Sequence, residues 1–350
     1  MTMLKGCGCI ATFAVVIMTL VSISAVAEEA SKKPLAVAGY IPEYRYGGID
    51  WKGMSKRVTH AILFSLEVSR EGKIVALDRF PDAKTYALAR EETKRAGAKL
   101  MICLGGNSRT NGFPVVATNP KLRSTFVQNM KDFLVQHDLD GVDLNWEYPQ
   151  GRAQWQGLWL IIDELYEVLH PLGKVITMAV YPSQEPLLPS ETLKKLDLVL
   201  DMAYDNVCAR GERPPCKHST YEFATRVIND AEKHGFPLEK LALGVPFYAR
   251  DVNNGVPETY AELVKQFNID DSPSIDRIGN WYYNGPKTIA KKVRLAHDRG
   301  LGGIMIWELG QDVLPDAPGS LLAALDDEVK KISAESSEAQ KESEVPKKEL

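Results

Sequence analysis

The sequence predicts a (β/α)8 barrel, the TIM-barrel architecture, as a single domain over residues 34–328. Three observations carry this. Eight short runs rich in Val, Ile and Leu are spread along the chain. Segments of helical periodicity lie between most of them. Together they fill about 290 residues, close to what eight strand–helix units need.

The runs are "LAVAGY" (35–40), "VTHAILF" (58–64), "KLMICL" (99–104), "GVDLN" (141–145), "KVITMAV" (174–180), "LDLVLDMAY" (196–204), "LALGVPF" (241–247) and "GGIMIW" (302–307). Continuous apolar strands, rather than alternating ones, mark a parallel sheet that helices cover. Leu122, Phe126, Met130, Phe133 and Leu134 form one helical stripe, and Leu158, Ile161, Ile162, Leu165 and Leu169 another. "TNP" before Lys121 supplies a cap followed by Pro at a first helical position. A doubly wound open sheet is the competing arrangement. It would more often carry a Gly-rich phosphate turn after an early strand, and "GYIPEYRYGG" lacks that spacing. Only about 50 residues separate Arg250 from Gly302. Little or no α+β insertion is therefore expected between strands 7 and 8, and the cleft should be shallow.

The ends differ from the middle. Lys5 is the sole charge before Glu28, and the apolar run between them ends in Ala25-Val26-Ala27. This reads as a signal peptide over 1–27, cut after Ala27. An uncleaved anchor is the alternative, since about 20 apolar residues just span a bilayer. With the leader cut, no stable membrane span is expected. The mature chain is then secreted or periplasmic, as a monomer. Residues 329–350 have almost no apolar content after Ile332 and read as a disordered charged tail.

The net charge of −4 shows no basic excess, so nucleic acid is not an expected partner. Cys208 and Cys216 flank the polar loop "ARGERPP". A local disulfide or two free thiols both fit, because sequence does not fix their Cα separation. Cys103 lies in an apolar run and reads as core. The three cysteines beyond the leader, without clustered His, give no metal spacing. No metal or other cofactor is expected.

The chemistry concentrates in "LDGVDLNWEYPQ", Leu139–Gln150. Alternate side chains of a barrel strand point inward. Asp143, Asn145 and Glu147 then share the inner face, while Val142, Leu144 and Trp146 meet the helices. Glu147 comes last, at the C-terminal rim where barrel enzymes place catalysis. Asp143 lies deeper by about 13 Å. Burying two carboxylates costs several kcal/mol unless they are paired, so stability alone explains them poorly.

"DGVDLNWEYP" resembles the D-x-x-D-x-D-x-E signature of glycoside hydrolase family 18, the chitinase family. Here it reads Asp140, Asp143, Asn145 and Glu147. "CLGGN" (103–107), "MAYD" (202–205), "LGVPFYAR" (243–250) and "GLGGIMIWELGQD" (300–312) resemble the family's other strand motifs, in order. The resemblance implies a secreted glycosidase acting on β-1,4-linked N-acetylglucosamine, such as chitin or its oligomers, by substrate-assisted retaining catalysis. Glu147 would be acid and then base, with the 2-acetamido carbonyl attacking C1. Tyr204 would hydrogen-bond that carbonyl, and Trp307 would floor the −1 sugar site. Tyr40, Met202 and Asp205 would complete the pocket. Two positions depart from the pattern: Asn145 for Asp, and Cys103 for Ser. Asn145 can accept the acetamido N–H and is expected to donate to Asp143, but it brings no charge. The catalyst is then slowed or re-tuned. Alternatively the chain is a chitin-binding lectin, or an endo-N-acetylglucosaminidase on glycoprotein or peptidoglycan glycans.

Overall fold

A computed structural model describes residues 34–206, 217–269 and 275–344. The proposed leader (1–27) and both Cys208 and Cys216 lie outside the described residues. Leu35–Val329 forms one compact unit. Its eight parallel strands are β1 (Ala36–Pro42), β2 (His60–Val68), β3 (Lys99–Gly105), β4 (Gly141–Asn145), β5 (Val175–Val180), β6 (Leu198–Asp201), β7 (Leu241–Pro246) and β8 (Gly303–Trp307). Each pairs with the next, and β8 pairs with β1, so the sheet closes as a (β/α)8 barrel.

The helices are α1 (Trp51–Ser55), α2 (Ala83–Ala96), α3 (Phe113–Thr118), α4 (Pro120–Gln136), α5 (Gly151–Leu169), α6 (Ser190–Leu193), α7 (Tyr221–Lys233), α8 (Tyr260–Phe267), α9 (Pro286–Asp298) and α10 (Leu321–Glu344). Side-chain caps set several starts. Asp82 accepts from Lys84 and Thr85, and Asn119 from Lys121 and Leu122 ahead of α4. The α5 stripe from Leu158 to Leu169 is completely buried against the barrel wall, each side chain contributing roughly 1.5–3 kcal/mol. Trp146 faces outward as expected, stacked on Phe113 of α3 at 5.3 Å.

Two segments carry more structure than their sequence suggested. Val329–Glu344, expected as a disordered tail, continues α10. Its Ala, Glu, Lys and Gln lack an apolar stripe but are strong helix formers, and Leu321–Leu325 start the helix on a buried footing. Between β7 and β8 the chain makes a small α+β unit. Four antiparallel strands, Tyr248–Asp251, Pro257–Thr259, Arg277–Ile278 and Trp281–Tyr282, form one sheet beside α8. The insertion is little rather than none. Strands of two to four residues are too short to show a periodic pattern. Among the described residues, no helix is long and apolar enough to cross a membrane.

Asp140, the first carboxylate of the β4 motif, sits at the opposite end of the strand from Glu147. It accepts from Arg90 Nη1 and Nη2 at 2.5 and 3.1 Å and from the Leu100 amide at 2.8 Å. It therefore joins α2 to the start of β3. Replacing it leaves the Leu100 amide without its acceptor and Arg90 with Asp138 alone, at about 1–3 kcal/mol. Asp140→Ala should lower unfolding stability in urea by about that amount and leave the chemistry at the far rim intact. A large fall in stability-corrected turnover would contradict this placement.

Candidate active site

The barrel interior is lined by Tyr40, Phe64, Met101, Cys103, Met202, Tyr204 and Met305, with Trp307, Tyr148 and Tyr181 packed at its mouth. Asp143 lies within this lining and is wholly buried. Its Oδ2 accepts from Tyr40 Oη at 2.8 Å and its Oδ1 from Thr177 Oγ1 at 2.7 Å. Cys103 Sγ–H is its third donor. The register puts Cys103 and Thr177 directly beside Asp143 on the two flanking strands. Burial pushes the Asp143 carboxyl up, and the three donors pull it back. Burial, with Asp143 alongside, keeps the Cys103 thiol and the Tyr40 phenol protonated.

Asn145 is also buried. Its side chain hydrogen-bonds Glu147, and its Oδ1 has no hydrogen-bond partner. The amide N–H is thus turned toward Glu147, not toward Asp143 as the sequence suggested. Asp143 already has its donors, whereas a carboxylate farther up the strand still needs one. Glu147 also accepts the backbone N–H of Asn107. Burial raises its pKa and the Asp205 charge adds to this, against those two hydrogen bonds.

Two glycines let the strands close here. A Cβ on Gly105 would meet the Asn145 carbonyl at 2.2 Å, and one on Gly106 would meet the Phe64 ring at 2.3 Å. Both have positive φ, which glycine adopts without penalty. Gly106 N–H binds the Asn145 carbonyl at 2.7 Å. Phe64 then packs edge-on to Trp307 at 4.8 Å, and Trp307 lies 5.4 Å from the Tyr40 ring. Trp307 keeps part of its surface exposed at the barrel mouth.

The end of β6 brings the remaining residues. Met202 and Tyr204 join the interior lining. Tyr204 Oη donates to the Met305 thioether at 3.7 Å, a weak acceptor, so a carbonyl arriving there would be the better one. Burial holds its phenol protonated. Asp205, at φ 53°, accepts from Tyr248 Oη at 2.6 Å and from Nε and Nη2 of Arg250. His218 Nδ1 stands 3.6 Å away. Burial would raise this carboxyl, but His218, Arg250 and Tyr248 outweigh it and hold Asp205 well below the usual range.

Of the eight residues singled out, Tyr40, Asp143, Asn145, Met202 and Tyr204 thus lie in the interior, with Glu147, Trp307 and Asp205 toward its mouth. Sequence reasoning missed Thr177, Phe64, Tyr248 and Arg250. Thr177 had a signal, being the one polar residue in "VITMAV". Tyr248 and Arg250 lay inside the seventh-strand motif, but the turn that sends them across to Asp205 comes after Pro246, where β7 ends.

The sequence model of the glycosyl hydrolases of family 18 matches residues 36–312. Chitinase 1 of Aphanocladium album is 24% identical over 325 residues, covering 73% of this chain and 75% of that protein. Class V chitinase CHIT5a of Medicago truncatula is 27% identical over 262 residues, or 59% and 68% of the two chains. The crystal structure of a family 18 chitinase from the chitin utilization locus of Flavobacterium johnsoniae superposes with a TM-score of 0.73 at 28% identity, covering 86% of this chain and 95% of that one. With four of the five motifs overlapping β3, β4, β7 and β8, the fifth following directly on β6, and a family match running from β1 past β8, the chain belongs to the glycosyl hydrolases of family 18 and is a glycoside hydrolase.

Proposed function

We propose that the chain hydrolyses β-1,4-linked N-acetylglucosamine, in chitin or its oligomers, by a substrate-assisted mechanism. The observation that carries the reading is the Asn145 amide. Its N–H side is committed to Glu147 while Oδ1 is buried and unpartnered. An orphaned buried acceptor costs about 1–3 kcal/mol, and the N–H of a 2-acetamido group would satisfy it. Tyr204 Oη–H is then the donor for the acetamido carbonyl, which bends back to attack C1. Glu147, its pKa raised by burial, protonates the leaving oxygen and afterwards takes a proton from water. Trp307 offers the sugar ring a flat apolar face. Chitinases among the similar proteins support the substrate class. Export rests on the leader sequence, with cleavage after Ala27.

The neutral amide also sets a limit on rate. A carboxylate at 145 would stabilise the positive charge that develops on the acetamido carbon, and loss of one such stabiliser typically costs about 3–4 kcal/mol. We read the enzyme as slowed on this account.

Glu147→Gln should lower turnover on a chitin oligomer by about 10²–10⁴-fold, with oligosaccharide binding by calorimetry nearly unchanged. Wild-type turnover in that variant would overturn the mechanism. If the parent protein cleaves peptidoglycan or a high-mannose glycopeptide and leaves chitin oligomers intact by mass spectrometry, the polymer is wrong. Binding without cleavage of any of them would point to a lectin.

Asn145→Asp tests the rate limit through pH. The first step needs protonated Glu147, so activity falls as pH rises through its pKa. A second carboxylate beside Glu147 raises that pKa further and removes the amide donor that now lowers it. The alkaline limb of kcat/KM should therefore move up, and kcat should rise. The double variant with Cys103→Ser should gain more than the two single changes summed, since hydroxyl and carboxylate would share one network. A downward shift, or no gain in any variant, would sink the idea that Asn145 limits the rate.

A further inference from the structure

Lys292 lies on α9 and is completely buried. An ammonium in the interior is costly unless its N–H groups are paired. Its Nζ donates to the Ser219 carbonyl at 3.0 Å, to Ser219 Oγ at 2.8 Å and to Asn284 Oδ1 at 2.7 Å. Two of these acceptors are fixed in that role by another bond. Ser219 Oγ–H donates onward to the Ala203 carbonyl at 3.1 Å, so it must accept from the lysine. Asn284 Nδ2 donates to the Ser219 carbonyl at 2.8 Å, which turns its own carbonyl to Nζ. Three acceptors need three N–H groups, and only the charged lysine supplies them.

What the chain of bonds holds is Ala203. That residue joins Met202 to Tyr204 in a stretch, Met202–Asn206, outside any strand or helix. Within it the Ala203 and Tyr204 amides reach back to Asp201 and Met202 at 2.8 and 2.7 Å. The barrel ladder therefore ends before Tyr204; beyond it the Asn206 amide pairs with the His218 carbonyl at 2.9 Å, and side chains fix the residues between. Asp205 is anchored by Arg250 and Tyr248; Ala203 is anchored by Ser219.

We propose that Lys292 is a positioning residue for the hydrolysis: through Ser219, its ammonium holds the Ala203 carbonyl and so keeps Tyr204 at the place where the acetamido carbonyl is bound. The inference rests on the reading of Tyr204 given above. It makes the site sensitive to the lysine's charge. The charged and titratable groups facing Nζ are Asp276 from the insertion, Glu222 from the first turn of α7, and His218. Burial draws the lysine down to about 7, with Asp276 and Glu222 working against it. Once the proton leaves, one of the three acceptors loses its donor, and the hold on Ala203 loosens.

The test uses the full-length chain with Lys292→Met and, as a smaller change that keeps the lysine, Ser219→Ala. The first readout is hydrogen exchange of peptides covering 201–206, measured by mass spectrometry against the barrel strands. The second is kcat and KM on a chitin oligomer. Both variants should exchange faster in this stretch alone. Both should lose about 10- to 100-fold in kcat, the scale of a small misplacement, with KM changed far less. In the parent, exchange at 201–206 should climb faster than in the strands as pH passes about 7, and Lys292→Met should lack that inflection. If Lys292→Met does not fold, Ser219→Ala carries the test alone. Parent-like exchange and parent-like kcat in Ser219→Ala would overturn the proposal. Should the parent fail to cleave the oligomer, the functional reading fails instead, and exchange still decides whether Lys292 holds the segment.

Discussion

A carboxylate in the middle of a barrel is the constraint around which the rest of this site is arranged. Asp143 has no access to water, so its oxygens must be met by protein donors or the strand could not sit where it does. The donors come from three other strands, Tyr40 on β1, Cys103 on β3 and Thr177 on β5. Once those are committed, Asn145 has nothing to offer downward and turns its amide up to Glu147. The orientation of the amide, the orphaned Oδ1 and the hydrogen bond that tempers Glu147 are all consequences of how Asp143 is satisfied two residues below. Weakening one donor, as a thiol does relative to a hydroxyl, is therefore felt along the whole inner face.

A second centre of charge stands opposite. Asp205 is ionised because Arg250, Tyr248 and His218 surround it, and its charge in turn raises Glu147. Two carboxyl groups at one mouth thus have opposite tendencies. Glu147, half-buried and beside the Asp205 charge, has its pKa raised despite its two hydrogen bonds. Asp205, equally removed from water but richly paired, gives its proton up. This division of environments is how one barrel end pushes the pKa values of two neighbouring carboxyl groups apart.

Much of this was legible. The α5 stripe from Leu158 to Leu169 and the Asn119 cap of α4 lay open in the spacing, because helical burial and capping leave local signatures. The alternation Asp143, Asn145, Glu147 put the polar face inward, since a strand's period is two. What spacing could not convey was which partner each polar group chooses. Asn145's preference for Glu147 depends on Thr177 and Tyr40, which are 32 and more than 100 residues away in sequence. Tyr248 and Arg250 were hidden by strands too short to announce themselves, and the helix through Glu344 by a composition whose helix propensity outweighs its want of apolar residues. Lys292 sat unremarked in a basic helical segment, where one buried lysine among exposed ones has no mark of its own.

The small sheet between β7 and β8 couples two tasks within one insertion. Its first strand, Tyr248–Asp251, supplies the hydroxyl and guanidinium that fix Asp205. The turn after that strand is tied to the same guanidinium, since Arg250 Nη1 donates to the Gly255 carbonyl at 2.6 Å, and Tyr282 pairs with Arg250 across the sheet. Residues added or removed in the turn would therefore act on the guanidinium that holds Asp205 as well as on the rim. Reshaping this rim would in this way retune the proton chemistry too, because the Asp205 charge that Arg250 holds acts on Glu147.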